Sequence, residues 1–372
     1  MQTAKAALLV DYNKPMEIRE FPLPEKLEPG AMLVRIKLAG VCGTDHHIWK
    51  GELYYPGGKR RLPVILGHEN VGQIERLGDG VIKDYFGNTL KEGDLLTWHG
   101  SSFTICGRCY YCSIGQPTMC VNKRGYSGGF PCDEPPYLLG GYAEYMYLFP
   151  KTDVFKLPAD MSIESVVAAG CAIPTIIHGV ERIGGIRFGE SVVVQGSGGV
   201  GLFGLAVAKE SGASSVTVIG APAERLRLAK EWGADHTIDI MNTTPEERIQ
   251  KVKELTQGRG ADVVIDCTGV PSAFAEGMEM PRNSGRYLII GQFLDAGPAS
   301  IRPHIVLAKQ LQIHGSSGFL PRHLANGIHL LSSKKEKYPF DKLISHKFPL
   351  QKINEAIQAT GKWNVIKAGV EP

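Results

Sequence analysis

No stretch of this chain reaches the 18 or so consecutive apolar residues that a membrane-spanning helix needs, and its N-terminus lacks the basic, apolar and small-residue succession of a secretory signal. A cytoplasmic address without membrane partners is therefore expected. Neither sign of charge dominates, with 41 Lys and Arg against 38 Asp and Glu, a net +3. Basic runs are short, Lys59-Arg60-Arg61 and Lys334-Lys335, so the footprint of a nucleic-acid-binding arm is missing as well. There is no internal repeat, no low-complexity segment and no long linker. Cysteine is scarce too, at eight residues in 372.

Half of those cysteines nevertheless fall within fifteen positions. Cys106, Cys109, Cys112 and Cys120 are spaced by three, three and eight. Two thiols one turn apart can grip one ion, and a third and fourth complete the tetrahedron of a closed structural Zn²⁺ site. In a reducing compartment clustered thiols are metal ligands more often than disulfides. The remaining cysteines outside any such cluster, Cys132 and Cys267, read as structural.

A length of 372 residues points to two domains, because single cores stop growing below about 300 residues. The first 150 residues or so mix short alternating runs, such as Met32-Leu33-Val34-Arg35-Ile36-Lys37-Leu38, with many Gly and Pro, which predicts antiparallel, partly barrel-like β structure. From about residue 190 the rhythm changes. Ser191-Val192-Val193-Val194-Gln195 reads as a buried strand running into an amphipathic helix over 199–211. Further strands are expected at 216–219, 236–240, 262–266, 286–290 and 311–314, with helices at 224–232, 246–255 and 272–280. That alternation predicts an α/β, doubly wound parallel sheet. A last helix over 350–360 and the tail after it should return to the first domain.

Gly196-Ser197-Gly198-Gly199-Val200-Gly201 is a G-x-G-x-x-G that follows a strand and opens a helix, the setting in which such a turn binds a dinucleotide. Gly196 permits the tight turn, Gly198 lets backbone N–H groups approach a pyrophosphate, and Gly201 lets helix and strand pack closely. The carboxylate expected about twenty positions on, for a ribose diol, is absent. Gly220 stands in its place within Val218-Ile219-Gly220-Ala221-Pro222-Ala223-Glu224-Arg225. Loss of the carboxylate removes a repulsion against a 2′-phosphate, while Ala221 and Pro222 offer nothing to hold one. The cofactor choice leans to NAD, with NADP held by Arg225 as the rival.

A second metal-ligating constellation is Cys42-Gly43-Thr44-Asp45-His46-His47, then Gly67-His68-Glu69, then Gly170-Cys171-Ala172-Ile173-Pro174-Thr175. These motifs, the four-cysteine lobe and the downstream nucleotide fold, in this order, resemble the zinc-containing medium-chain alcohol and polyol dehydrogenase family over nearly the whole chain.

The resemblance implies a GroES-like, mostly β catalytic domain over residues 1–173 and 314–372, with a zinc lobe at about 100–122, and a Rossmann domain over 174–313. It implies two Zn²⁺ per chain. Cys42, His68 and Cys171 correspond to the ligands of a catalytic ion whose fourth position takes water or alcohol, lowering the alcohol's pKa so that its hydride passes to the nicotinamide. Thr44 corresponds to the hydroxyl that takes the alcohol proton, and His47 to the outer member of the relay that returns it to solvent by way of the cofactor ribose. Asp45 corresponds to a carboxylate orienting His68, Glu69 to one that exchanges transiently onto the metal, and Thr175 to a nicotinamide contact. His46 matches no role and reads as a surface or packing residue. The zinc, nicotinamide and alcohol are expected in the cleft between the domains. A homodimer or homotetramer is expected, joined partly through an apolar edge strand around 286–291.

Departures from the common family form lie in a longer segment over 121–139 and an extension over 84–90. Trp98, Phe103, Tyr126, Phe130 and Tyr137 are candidate walls of a substrate pocket. No arginine pair marks a carboxylate or phosphate substrate, so a neutral primary or secondary alcohol, or the matching aldehyde or ketone, is favoured. Two other readings stand beside this one: a zinc-stabilised binding protein on the same scaffold, with one metal per chain, and a zinc-independent reductase of the same fold.

Overall fold

The computed structural model describes residues 2–53, 61–81, 83–100 and 105–372. Phe103 and the Lys59-Arg60 pair lie outside the described residues. The chain divides into two compact units, one made of Met1–Cys171, Leu320–Lys335 and Pro339–Pro372, the other of Ala172–Phe319 and Glu336–Tyr338.

The first unit opens with strands β1 (Thr3–Leu9), β2 (Glu17–Pro22) and β3 (Met32–Val41), then helix α1 (Gly43–Lys50) and strands β4 (Val64–Ile65), β5 (Glu69–Leu77) and β6 (Leu95–Trp98). A short helix, α2 (Tyr110–Ser113), precedes β7 (Tyr145–Leu148), β8 (Val154–Lys156) and α3 (Ile163–Ala169). The second unit runs from α4 (Ala172–Arg182) through β9 (Ser191–Gln195), α5 (Gly199–Glu210), β10 (Ser215–Gly220), α6 (Ala223–Glu231), β11 (His236–Asp239) and α7 (Pro245–Leu255) to β12 (Ala261–Asp266), α8 (Pro271–Gly277), β13 (Pro281–Ile289), α9 (Pro303–Ala308) and β14 (Gln312–Gly315). The chain then re-enters the first unit with α10 (Pro321–Lys334), β15 (Ile344–Pro349), α11 (Ile353–Ala359) and β16 (Lys367–Glu371).

In the first unit β15-β16-β3-β5-β6-β8 form one sheet, with β7 also on β3, and β2-β1-β4 form a smaller one. All pairings except β15 with β16 are antiparallel. β16 bonds to β3 through Ala368–Val41 and Val370–Ala39, so the tail does return to the first domain. Leu33, Val34, Leu96, Tyr142, Leu148, Ile353 and Val370 belong to one core built from both ends of the sequence.

The second unit's sheet has the order β11-β10-β9-β12-β13-β14, all parallel. Counted within the unit this is 3-2-1-4-5-6, the doubly wound dinucleotide-binding order, with the sequence reversal beside β9 where a ligand is held. Local chemistry agrees with position. Helix α7 starts with a capping box: Glu247 N–H donates to Thr244 Oγ1 at 3.2 Å, Thr244 N–H donates to Glu247 Oε2 at 2.7 Å, and Pro245 fills the first helical position.

Two expectations are corrected here. Helix α5 is not amphipathic, since Gly201, Leu202, Phe203, Gly204, Leu205, Ala206, Val207 and Ala208 are all buried. It packs on β9 and β10 and against α4, and Phe203 meets Trp232, so it has no wide solvent face. Nor is the strand around 286–291 an edge: β13 lies between β12 and β14, and β14 is the edge. Tyr287, Leu288 and Ile289 are apolar because an interior strand of a parallel sheet is covered on both faces.

Among the described residues no single helix is long and apolar enough to cross a membrane. Helices α7 and α8 are tied by a two-pronged ion pair, Arg248 Nε to Glu276 Oε1 at 2.8 Å and Nη2 to Oε2 at 2.6 Å, with both side chains less than a tenth exposed. Removing one partner strands the other charge in a dry site. Glu276→Ala is therefore expected to lower the unfolding free energy by about 3 kcal/mol, read from the denaturant midpoint.

Candidate active site

Strand β3 ends at Val41 and helix α1 begins at Gly43, which puts Cys42 at the helix N-cap. Asp45, on the first turn, is fully buried and accepts from Cys42 N–H at 3.0 Å. The same carboxylate accepts from Tyr142 Oη at 3.0 Å and lies 3.2 Å from His68 Nδ1. With Nδ1–H donating to Asp45, the Nε2 lone pair of His68 is left for a metal. Cys171 sits in the break between α3 and α4, where its Sγ is 3.5 Å from Cys42 Sγ.

Cys42, His68, Glu69 and Cys171 each bring one ligand atom within 4.8 Å of all the others. A tetrahedral zinc with thiolates about 2.3 Å away has sulfur–sulfur edges of about 3.8 Å. The 3.5 Å thiol pair is close to that edge, so the donor set fits the ion. Glu69 is occupied otherwise: its Oε1 accepts the Cys171 N–H at 3.1 Å and its Oε2 pairs with Lys367 Nζ at 2.6 Å.

The titrating groups reinforce one another. The hydrogen bond from Cys171 holds the Cys42 thiol well below its usual range, helped by His68 and Lys367 against the effect of burial. Cys171, on the other side of that bond and buried, is pushed up. Burial opposes a charge on His68, but the Asp45 carboxylate and the Cys42 thiolate outweigh it and raise its pKa. Burial likewise raises Glu69, against the pull of Lys367. Cys42, Cys171 and His68 would hold a divalent cation, which would displace protons from the sulfurs and from the imidazole.

Thr44 and His47 lie one turn apart on α1 and so share a face of it. His47 is partly exposed, with Nδ1 2.8 Å from Glu52 Oε2. His46 turns the other way, its Nδ1 3.0 Å from the Ile357 carbonyl and its ring against Trp49, which is the packing role expected of it.

Cys106, Cys109, Cys112 and Cys120 form the second cluster, with every sulfur within 4.8 Å of the others and the pairs Cys109–Cys112 and Cys106–Cys120 at 3.5 Å. Donors point at these sulfurs. Asn122 Nδ2 lies 3.4 Å from Cys106 Sγ and, with the Arg108 N–H, holds that thiol down to about 6. N–H groups of Cys112 and Val121 lower Cys109, while desolvation and the Cys109 thiol push Cys112 up to about 12. Cys132 donates to the Pro63 carbonyl, and Cys267 is a partly buried thiol raised by desolvation.

In the second unit Gly196, Ser197 and the N-cap Gly198 link β9 to α5, whose first turn holds Gly199, Val200 and Gly201. A Cβ on Gly201 would collide with the Gly196 carbonyl, which is why helix and strand approach so closely there. Gly220, at the end of β10, has no room for a side chain either, because Ser197 Oγ occupies that space on its way to the Ala221 carbonyl at 2.9 Å. Arg225 brings Nη1 to 4.0 Å from the position a Gly198 Cβ would take. The turn, Gly220 and Arg225 are thus gathered at the carboxyl ends of β9 and β10. Thr175 lies on α4 and is partly exposed.

Of the aromatic residues suggested as pocket walls, the described ones pack within the first unit. Trp98 and Tyr126 are buried in the core, Tyr126 with its hydroxyl 2.6 Å from Thr152 Oγ1. Phe130 packs on Phe149 and Tyr137 on Phe21. Asp84, in the 84–90 extension, accepts from the N–H groups of Phe86 and Asn88, a turn held by its own side chain.

Sequence reasoning missed three participants. Tyr142 lies in a Gly-Gly-Tyr-Ala motif whose glycines are visible but whose hydroxyl role is not. Lys367 has no local signal, because its partner Glu69 is about 300 positions away in the chain. Asn122 sits two residues past the last lobe cysteine and was legible only as part of a polar segment.

Known proteins with these features are similar throughout. Residues 28–159 match the alcohol dehydrogenase GroES-like domain, and 199–333 match the zinc-binding dehydrogenase model. A 5-exo-hydroxycamphor dehydrogenase of Pseudomonas putida is 35% identical over 371 residues, covering 100% of this chain and 99% of that protein. An alcohol dehydrogenase from Thermotoga maritima superposes with a TM-score of 0.93 at 33% identity, covering 100% of both chains. A protein of Sinorhizobium meliloti bound to NADP gives 0.85 at 26% identity, again over 100% of both.

Proposed function

We propose that this chain, which belongs to the zinc-containing medium-chain alcohol dehydrogenase family, carries two zinc ions and works through the one held by Cys42, His68 and Cys171. The protein is an oxidoreductase acting on CH–OH groups with a nicotinamide cofactor. The observation that carries the site assignment is the partly buried cluster of two thiols and one imidazole whose second nitrogen is already committed to Asp45.

When bound, zinc supplies the Lewis acidity that lowers an alcohol's pKa, and NAD⁺ or NADP⁺ supplies the hydride acceptor. The chain's own residues do the rest. Asp45 and Tyr142 fix the His68 tautomer and ring, and Glu69, clamped by Lys367, fixes the backbone of Cys171. Thr44 takes the alcohol proton, and His47, on the same face of α1, passes it to solvent. Cys106, Cys109, Cys112 and Cys120 hold the structural ion, away from the chemistry. Free thiols at all eight cysteines suit a reducing compartment.

For the dinucleotide, Gly196 to Gly201 take the pyrophosphate on the N-terminus of α5. The end of β10 carries no carboxylate, neither to hold a ribose diol nor to repel a 2′-phosphate, and Arg225 stands beside the turn. The protein therefore accepts both NAD⁺ and NADP⁺, with kcat/KM values within about tenfold of each other, because neither charged contact that usually decides the choice is strong here. A bulky alicyclic secondary alcohol is the favoured substrate class, supported by the hydroxycamphor dehydrogenase relative. A second copy of the chain pairs along the outer edge of β14, where Ile313 is exposed by 37%; Leu307, on the preceding helix α9, is exposed by 78%.

The test is the near-ultraviolet absorbance of reduced nicotinamide while zinc-loaded protein meets primary, alicyclic secondary, aromatic and polyol alcohols with each dinucleotide. Turnover with both coenzymes is expected, and Arg225→Ala should weaken NADP⁺ more than NAD⁺. Silence across the panel from a chain holding one zinc would instead favour the binding-protein reading.

A further inference from the structure

Helix α1 ends in a way that aims one particular carboxylate at His47. Gly51 takes the left-handed conformation, φ 73°, and its N–H donates to the Ile48 carbonyl at 2.9 Å. The chain then turns back, and the Glu52 N–H donates to the His47 carbonyl at 3.0 Å. This is the double closure of a glycine-terminated helix, which fixes the residue after the glycine over the residue that opens the last turn. The Tyr12 ring covers Gly51, only 3.1 Å from where a Cβ would be, and Asn13 N–H donates to the Trp49 carbonyl at 2.7 Å, so the turn is held from a second segment. The outcome is Glu52 Oε2 at 2.8 Å from His47 Nδ1.

A neutral imidazole has one N–H donor and one bare nitrogen, and the partner of the first decides which nitrogen is the second. Glu52, as a carboxylate, is an acceptor only, so His47 bonds to it through Nδ1–H. The bare nitrogen is then Nε2, the one that can receive a proton from the Thr44 side of the helix. Once His47 is protonated, the carboxylate also stabilises the imidazolium, the orienting service that an acidic residue renders a catalytic histidine in a triad. Besides Glu52, the titratable groups facing His47 among the described residues are Lys50, whose Nζ is 3.5 Å from Glu52 Oε1, and His46, whose ring meets that of His47 edge-on at 5.8 Å.

We propose that Glu52 is a positioning residue of the proton relay: by holding His47 Nδ1 from the turn after α1 it presents Nε2 as the proton acceptor. The inference rests on the assignment of His47 to the relay, and it adds a residue that contacts neither metal ligands nor reacting atoms.

The test uses the zinc-loaded full chain and has two readouts. Nitrogen-15 NMR of the histidine side chains, with the His47 signals identified by their loss in His47→Gln, reports the tautomer without any turnover. The wild type should show the Nδ1–H form, and Glu52→Ala should move it toward the Nε2–H form. Glu52→Gln keeps an acceptor at the same place, so it should keep the Nδ1–H tautomer. The pH profile of kcat for cyclohexanol oxidation should differ from the wild type in Glu52→Ala, with about a fivefold loss at pH 7 and no further loss when Glu52→Ala is added to His47→Gln. A wild-type tautomer and profile in Glu52→Ala, with a displaced profile in His47→Gln, would overturn the role of Glu52 and leave the relay standing. An undisturbed profile in His47→Gln would remove the relay, and the proposal with it. Because Glu52 is 44% exposed, neither substitution endangers the fold.

Discussion

Cys42→Ala is expected to lower kcat by at least 10³-fold, about 4 kcal/mol in the barrier, while leaving a folded chain that still binds one zinc. The substitution removes one sulfur from the Cys42, His68 and Cys171 set but keeps the Cys42 N–H that Asp45 accepts, so the local framework is unaltered. His68→Ala should abolish turnover to the same degree and also lower the melting temperature, because buried Asp45 then loses the Nδ1–H donor, a cost of about 1–3 kcal/mol. Metal analysis beside the kinetics is decisive: the expected zinc content falls from two per chain to one in both variants. Full activity in Cys42→Ala would end the assignment of this cluster to the chemistry.

The second large effect is structural. Cys109→Ala should cost the lobe its metal and open it locally, with zinc falling to one per chain and rapid proteolytic cleavage near residues 105–122. The reason lies in what the lobe lacks. No residue of α2 is buried, and Tyr110, Ile114, Met119 and Val121 are exposed by 71%, 51%, 47% and 68%, so there is no apolar core to hold the segment once the ion has gone. In comparable small zinc modules the metal contributes about 10–16 kcal/mol of apparent binding free energy, which is folding free energy. Alcohol oxidation below the melting temperature should persist, since the Cys42 cluster is untouched. A variant that kept two zinc ions and the wild-type melting curve would show that the cysteines had been divided wrongly.

Much of the dinucleotide unit was readable because its signals are local. A run of Val and Ile followed by a glycine turn and strands at regular intervals each lie within a dozen residues, and the strands and helices named in advance form to within a few positions, while α4 and α9 carried no such signal. The errors there have a common cause. Helix α5 and strand β13 were read from one-dimensional patterns as half-exposed and as an edge, whereas each is covered by neighbours distant in sequence. The aromatic residues near 121–139 failed in the same way: a bulky ring in a loop reads alike whether it lines an opening or plugs the core, and Phe149, Thr152 and Phe21 decide for the core.

The resemblance of its ordered motifs implied the alcohol dehydrogenase family and the Cys42, His68 and Cys171 set; by itself the sequence determined the four-cysteine lobe, a glycine turn for a pyrophosphate and the missing carboxylate after β10. Those features depend on residue type and short spacing, which the covalent chain carries directly. Tertiary structure alone decided how the donors are held. Tyr142 on Asp45, Lys367 on Glu69 and Glu52 on His47 are hydrogen bonds and ion pairs whose strength depends on distance and burial. Two of them join residues about 100 and 300 positions apart, and the third needs the backbone reversal at Gly51. No spacing rule announces such pairs, because they exist only once β3, β5 and β16 lie side by side and α1 has closed its last turn.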